Sequence, residues 1–255
     1  MLYLIGVGLH DEKDITLRGI ETAKACSVIY IETYTSKWRG AAALEKLTGK
    51  HFLEAKRKDM EENASTLIEK ARFDDMAILV PGDPLVATTH MALVIEARKK
   101  GVDVRVIHGS SVYSAIASTG LSIYKFGKTT TIPRIQEGYE PTSFYDTIVE
   151  NLRVGAHTLC LLDVGERPMN VREAIERLQY AERLQKKGVA AVERHVVVAS
   201  FGETDTVAYA SIGELKVSDF PTPAVLIVPA TLSDIEKEAL ESAERLKFTH
   251  GRAVL

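Results

Sequence analysis

Short, nearly continuous apolar runs alternate with amphipathic stretches along the first part of the chain. Residues 2–9 and 76–80 are such runs, which are typical of strands buried on both faces. Residues 89–100 instead have helical spacing, and Gly101 supplies a residue suited to end the helix. The alternation predicts a mostly parallel sheet covered by helices. By the same criteria, further strands are predicted at 28–34 and 102–108, and helices after an Asp14 cap, over 39–47, over 59–72 and from Ser110 or Ser111 to about 119.

The pattern changes after about residue 108. Residues 120–141 lack helical period and carry glycine and proline at intervals, which predicts a domain boundary between 108 and 125. We expect domains at 1–110 and 111–255, the second an α+β domain with mixed strand directions. Its predicted strands are 129–132, 157–164, 195–201, 207–212 and 224–228, the third and fourth antiparallel, and its helices are 143–154, 171–187 and 233–246.

Composition places the 255-residue chain among soluble globular proteins, with 45% hydrophobic and 26% charged residues. A net charge of −3 argues against a general electrostatic partner such as nucleic acid or a membrane surface. Cys26 and Cys160 lie in apolar runs without a C-x-x-C pair, which predicts buried free thiols in a reducing compartment. No spacing of histidines and cysteines predicts a metal site, and no segment reads as a signal peptide or a membrane span. We therefore expect a cytoplasmic protein.

The segment Pro81-Gly82-Asp83-Pro84 ends the apolar run at 76–80 abruptly. Two prolines remove two backbone donors, so neither a helix nor a central strand can continue. Asp83 then lies at the carboxyl end of a strand, where open α/β sheets usually bind ligands. A tight turn with Asp83 as a turn or cap residue explains the same residue types. Both interpretations are open at this level.

Glycine-rich segments end three of the predicted strands. Gly6-Val7-Gly8 lacks the third glycine of a dinucleotide fingerprint, since Asp11 stands there, and instead favours a ligand lying against the strand end beside Leu9. In a parallel sheet, this segment, Gly82-Asp83-Pro84 and Gly109-Ser110-Ser111-Val112 emerge at one edge. We therefore expect them to line one crevice. Leu162-Asp163 is a fourth strand end of this kind.

Four segments resemble the diphthine synthases, within the tetrapyrrole-methylase-like group of S-adenosylmethionine-dependent methyltransferases. They are M-L-Y-L-I-G-V-G-L at 1–9, L-V-P-G-D-P-L-V-A-T-T-H at 79–90, V-I-H-G-S-S-V-Y-S-A-I at 106–116 and G-L-S-I-Y-K-F-G-K at 120–128. The similarity runs in order to about residue 164 and more faintly to 228. G-D-P marks the wider group, whereas L-V-A-T-T-H and I-Y-K-F-G-K are typical of diphthine synthases.

The resemblance implies a two-domain α/β protomer with a tetrapyrrole-methylase-like fold. An N-terminal parallel αβα domain and a C-terminal mixed-sheet α/β domain would hold folded S-adenosylmethionine in a cleft between them, and the protomer would form a homodimer. Phe201 and Ala224 depart from the family, which often has a small residue and a histidine at these places. Carried over motif by motif, the cofactor-binding residues would be Leu9, Asp83, Val86, Ser111, Val112, Leu162, Phe201 and Ala224.

The implied activity is a step of diphthamide biosynthesis. The amino group of an aminocarboxypropyl chain on a histidine of translation elongation factor 2 would be methylated, three times in the archaeal type, with S-adenosylhomocysteine as product. Two rivals of the same fold would methylate a tetrapyrrole or ribosomal RNA. A rival of another class is a regulator that binds an adenine nucleotide without turnover.

Catalytic residues cannot be assigned from the sequence, because methyl transfer requires mainly the positioning of two reactants. The aromatic and basic residues of 120–128 could dock an acidic acceptor or fill the edge of a core. Polar residues in or beside the matched segments, each explicable by capping or packing, are Asp83, His90, Tyr113, Lys125, His157 and Glu166.

Overall fold

A computed structural model describes residues 1–34, 38–165, 167–202 and 204–249, with side chains through residue 243. The chain forms two compact units, Met1–Ala115 and Ile116–Leu255. The predicted α/β class is confirmed, with one parallel sheet and one mixed sheet. No helix in the described part of the chain is both long and apolar enough to cross a membrane.

The first unit is built on a parallel sheet of five strands. In spatial order the strands are β3, β2, β4, β1 and β5, so that β1 lies between β4 and β5. Every residue of β4 is buried, as expected for a strand covered on both faces. The strands are β1 (Leu2–Gly6), β2 (Val28–Glu32), β3 (Leu53–Ala55), β4 (Met76–Val80) and β5 (Val104–Ile107).

Helices cover this sheet, and two apolar clusters fill its faces. Gly49 ends the second helix with φ +70°, in the left-handed conformation that glycine adopts without steric cost. The helices are α1 (Leu17–Ala25), α2 (Ala41–Thr48), α3 (Arg57–Glu61), α4 (Ala64–Lys70), α5 (Met91–Lys99) and α6 (Val112–Ala115).

The second unit contains a mixed sheet in the order β6, β7, β10, β8 and β9. Strands β6 and β7 pair in parallel, and the other pairs are antiparallel, including β8 with β9 as predicted. The strands are β6 (Thr130–Ile132), β7 (Thr158–Leu162), β8 (His195–Ser200), β9 (Thr206–Ser211) and β10 (Val225–Val228); the helices are α7 (Ser143–Arg153), α8 (Val171–Gln185), α9 (Ile212–Lys216) and α10 (Asp234–Thr249).

Four details differ from the sequence prediction. Strand β3 was not predicted, because only Ala55 of its three residues is buried and no apolar run marks it. The helix predicted over 59–72 is two helices, α3 and α4, and the short α9 was not predicted. The prediction that Asp14 caps α1 is wrong. Thr16 is the N-cap, and its side chain accepts a hydrogen bond from the Gly19 amide.

Candidate functional site

The carboxyl ends of β1, β4 and β5 meet at one edge of the parallel sheet. Gly8 and Gly82 exchange backbone hydrogen bonds, with N···O distances of 3.2 Å from Gly8 to Gly82 and 2.7 Å in return. A Cβ atom added to Gly109 would lie 2.6 Å from the Gly82 carbonyl oxygen. Only glycine permits this approach, so the backbones of the three strand-end loops pack directly on one another.

Gly82 differs from its neighbours in having open space beside it. Its φ is +72°, and the nearest atom to an added Cβ is the Ser110 carbonyl oxygen at 3.9 Å. The missing side chain thus leaves a backbone surface that another molecule can approach. The sequence prediction that the three glycine-containing segments emerge together agrees with this geometry.

Asp83 connects two of these loops. The carboxylate is buried, with 5% of the residue exposed. Its Oδ1 accepts a hydrogen bond from the Leu85 amide at 3.0 Å, which is a turn contact, and its Oδ2 accepts one from the Gly109 amide at 3.3 Å. His108 Nδ1 lies 2.7 Å from the same Oδ2. Asp83 is therefore both the turn residue and the bridge between the loops after β4 and β5.

The segment after Asp83 is held by its own side chains. The Pro84 carbonyl accepts hydrogen bonds from Thr88 Oγ1 and His90 Nδ1, each at 2.9 Å. With its Nδ1 proton donated, the buried His90 accepts from the Tyr34 hydroxyl at Nε2, 3.2 Å away. Burial raises the pKa of Tyr34 well above its usual value. These contacts account for His90 as a packed residue that fixes the loop.

Five predicted residues, from the segments after β1, β4 and β5, occupy this edge of the first unit. Leu9 follows β1, and its amide donates to Asp14 Oδ2 at 3.1 Å. Ser111 is buried directly before α6, and Ser114 Oγ donates to its carbonyl at 2.9 Å. The partly buried apolar side chains of the group belong to Leu9, Val86 and Val112. The arrangement is a glycine-lined edge, formed by Gly8, Gly82 and Gly109, with apolar side chains and one buried carboxylate.

The other three predicted residues share one edge of the mixed sheet. Val225 of β10 pairs with both Leu161 of β7 and Ala199 of β8. Because these pairs are antiparallel, the residues beyond them, Leu162, Ala224 and then Phe201, lie at the same end. All three are buried, with 6%, 7% and 9% of the residue exposed, respectively. The adjoining turn is fixed by Ser200 Oγ, which donates to the Pro223 carbonyl at 2.8 Å.

The remaining polar candidates have structural partners or stay unassigned. His157 and Lys125 both contact the buried Glu236, whose side chain organises the start of α10. Tyr113 is partly exposed, and Glu166 lies outside the described residues.

The 120–128 segment contains both a packed and an exposed aromatic side chain. Phe126 packs edge-on against His157 with ring centroids 5.5 Å apart, whereas the Tyr124 side chain is fully exposed.

Sequence reasoning missed His108. Its signal was available, since a histidine directly follows the β5 run and precedes the glycine of the G-S-S-V segment. What the sequence could not show is that the buried carboxylate of Asp83, 25 residues earlier, contacts this ring.

Comparison with known proteins first gives the class. A family model described as Tetrapyrrole (Corrin/Porphyrin) Methylases matches residues 1–215, so the chain is a tetrapyrrole-methylase-type protein.

Comparison with individual relatives then identifies the family within this class. A diphthine synthase of Methanocaldococcus jannaschii is 42% identical over 251 residues, covering 94% of this chain and 98% of the relative. A "Probable diphthine methyl ester synthase" of Arabidopsis thaliana is 38% identical, covering 94% and 97%. A crystal structure of a diphthine synthase superposes with a TM-score of 0.87 at 35% identity, covering 96% of each chain. The chain belongs to the diphthine synthase family. The predictions of the family and of a methyltransferase of diphthamide biosynthesis are confirmed.

Proposed function

We propose that this enzyme uses S-adenosylmethionine to methylate the amino group of the aminocarboxypropyl-histidine of translation elongation factor 2. Three methyl groups would be added to give diphthine, with S-adenosylhomocysteine as the second product. The observation that carries the proposal is the glycine-lined edge whose loops are bridged by Asp83. The chain that carries this edge is 42% identical to a diphthine synthase over nearly its whole length.

The first unit has features that suit this cofactor. Gly82 leaves open backbone, and the partly buried apolar side chains of Leu9, Val86 and Val112 suit the flat faces of an adenine ring. The backbone groups beside Asp83 and Ser111 suit the polar atoms of the cofactor. We assign cofactor contacts to these five residues, and to Leu162, Phe201 and Ala224 at the edge of the second sheet.

The two departures from the family concern the second unit. Phe201 and Ala224 are buried at the end of a sheet whose strands fix the local backbone. Contacts made by their backbone groups would tolerate either side chain, so we propose that these two residues bind through the main chain.

The protein's contribution to the reaction is mainly positional. S-adenosylmethionine, when bound, supplies a methyl group on a sulfonium that is already a good leaving group. Residues of the first unit would hold the donor, and the effective concentration of the acceptor beside it lowers the barrier by several kcal/mol. The acceptor amine must also be unprotonated to attack, so a proton acceptor is needed near it.

The remaining proposals concern partners and location. We propose elongation factor 2 as the protein substrate, a homodimer as the working form, and the cytoplasm as the location. The negative net charge of −3 supports a protein acceptor over a nucleic-acid acceptor.

The decisive experiment is intact-mass analysis of elongation factor 2 carrying the aminocarboxypropyl-histidine, incubated with the enzyme and S-adenosylmethionine. We expect a gain of three methyl masses that is absent when the cofactor is withheld. A gain of four would assign the methyl-ester type instead. If the enzyme binds the cofactor but elongation factor 2 gains no methyl mass, the acceptor would be a tetrapyrrole or RNA instead. If the cofactor binds stoichiometrically and no acceptor is methylated, the protein would be a regulator.

The Asp83 assignment has its own test. Asp83→Ala should weaken S-adenosylmethionine binding more than tenfold, which is more than 1.4 kcal/mol. Calorimetric titration measures this directly, and an unchanged dissociation constant would remove Asp83 from the cofactor site.

A further inference from the structure

His108 and Asp83 form a histidine–carboxylate pair at the proposed site. His108 follows β5, and its Nδ1 lies 2.7 Å from Oδ2 of Asp83 in the loop after β4. The two residues differ sharply in exposure, with 71% of the His108 side chain exposed against 6% of the Asp83 side chain. A buried anion therefore holds one nitrogen of a ring whose other side faces solvent.

The fixed position of the carboxylate determines which nitrogen carries the proton. Asp83 Oδ1 accepts from the Leu85 amide and Oδ2 from the Gly109 amide, so the carboxylate is held in place at both oxygens. An ionised carboxylate only accepts hydrogen bonds, so Nδ1 of His108 must donate. In the neutral ring, Nε2 then carries the free lone pair. Across the described residues, no hydrogen bond to Nε2 is present.

Asp83 dominates the electrostatic surroundings of the ring. Within the described part of the chain, it is the only charged group in contact with His108. On the neighbouring loop after β1, the carboxylate of Asp14 is engaged by the amides of Leu9 and His10. Arg105 lies on β5 itself and is exposed. The contact with Asp83 fixes the orientation of the ring and the tautomer in which Nε2 is unprotonated.

We propose that His108 is the general base that removes a proton from the acceptor amine, and that Asp83 positions it. This inference rests on the proposed function. In the step, an N–H bond of the acceptor ammonium breaks, its electron pair stays on nitrogen, and the proton moves to Nε2 of His108. The nitrogen then forms the new N–C bond to the methyl group, and the electron pair of the broken S–C bond goes to sulfur.

The exposure of the ring suits a repeated reaction. Before each methyl transfer an ammonium must lose one proton to become the neutral amine that attacks, so three methyl groups require three proton removals. An imidazole can accept a proton at Nε2 and pass it on to water. Because most of the His108 ring faces solvent, the base regenerates without rearrangement of the buried carboxylate.

The chain contains a matched control. His51 Nδ1 lies 2.7 Å from Oε1 of Glu45, and 83% of the His51 side chain is exposed. His51 precedes β3 and so lies at the amino end of the sheet's strands, opposite the predicted cofactor edge. It reproduces the exposed histidine–carboxylate pair away from the proposed site.

The test compares His108→Ala and His51→Ala with the wild-type enzyme on the modified elongation factor. We expect His108→Ala to lower the methylation rate about 100-fold, the lower end of the usual effect of a general base. S-adenosylmethionine binding should stay within about twofold, and His51→Ala should resemble wild type. Added imidazole should partly restore the methylation rate of His108→Ala and should leave the rate of His51→Ala unchanged. Nitrogen NMR of the free enzyme should show Nδ1 of His108 protonated and Nε2 unprotonated.

Two results would overturn the assignment while leaving the proposed function intact. One is a His108→Ala rate within about threefold of an active wild-type enzyme. The other is a weakening of cofactor binding that matches the loss of rate, with no response to imidazole. An inactive wild-type enzyme would overturn the proposed function and the role of His108 with it.

Discussion

His157 Nε2 lies 2.9 Å from Oε1 of Glu236, and both side chains are almost fully buried. The Ala230 amide donates to Nδ1 of the same ring at 2.9 Å, so Nε2 carries the proton and the imidazole is neutral. Burial raises the pKa of Glu236. Hydrogen bonds from Lys125, the Ser233 backbone, His157 and the Ser122 backbone outweigh burial and hold the pKa far below its usual value. Glu236 thereby ties the 120–128 segment, β7 and α10 together.

Glu236→Gln should lower the free energy of unfolding by about 2–3 kcal/mol at pH 7, because an amide nitrogen would face the donors that now meet a carboxylate oxygen. The folded pKa of Glu236 lies below the unfolded value of about 4.3. Its contribution is therefore complete above about pH 5 and is lost as pH falls toward the folded pKa. Urea unfolding at pH 7, 5 and 4 should show the difference between variant and wild type shrinking at the lowest pH.

Glu150→Gln is the control for this variant. Glu150 pairs with Lys128 at 3.1 Å, but both side chains are largely exposed. Exposed ion pairs contribute at most about 1 kcal/mol, so the free energy of unfolding should fall by about 0.5 kcal/mol or less. Equal effects of the two substitutions would contradict the role assigned to Glu236.

Gly109→Ala should disturb the proposed cofactor edge. Its Cβ would meet the Gly82 carbonyl oxygen at 2.6 Å, and the backbones would have to separate. We expect a loss of about 1–3 kcal/mol of stability and more than tenfold weaker S-adenosylmethionine binding. Thermal unfolding and calorimetric titration measure the two effects.

Gly49→Ala is a control that separates a loss of stability from a loss of cofactor binding. Gly49 ends α2 with φ +70° and has open space around an added Cβ, so only the backbone conformation is penalised. A stability loss of about 1 kcal/mol with unchanged cofactor binding is expected. Cofactor binding that weakens equally in both glycine variants would show that general destabilisation is responsible.

Tyr34→Phe should lower the free energy of unfolding by about 1 kcal/mol, because it removes one neutral hydrogen bond to His90. His90→Ala should cost more, about 2–3 kcal/mol, because the buried ring fills space and also binds the Pro84 carbonyl. Denaturant unfolding ranks the two variants. If Tyr34→Phe keeps its stability but loses methylation, the pair acts in the reaction and not only in the loop.

Ala87→Gly should stabilise the protein by about 0.5–1 kcal/mol. Ala87 has φ 55°, in the left-handed region that disfavours side chains. Glycine relieves this strain, and the gain exceeds its larger loss of chain entropy. Ala87→Val should instead destabilise by more than 1 kcal/mol, because β-branched residues resist positive φ. A glycine variant that unfolds at a lower temperature than wild type would contradict the assignment of strain.

The sequence by itself determined the fold class, most of the elements and the family. Buried parallel strands such as β4 consist of local apolar runs, and turns such as Pro81-Gly82-Asp83-Pro84 follow from the fixed φ of proline and the freedom of glycine. These signals lie within a few neighbouring residues. Strand β3 left no such signal, since three residues with one buried side chain show no period.

Only the tertiary structure decided what the polar residues do. His108, His90 and His157 look alike in sequence, each beside a strand or helix end. The parallel pairing of β1 with β4 and with β5 brings Asp83 to His108, while packing buries His90 against Tyr34 and His157 against Glu236. A side chain's exposure and partner arise from contacts 25 to 79 residues apart along the chain, and local sequence patterns do not encode those distances.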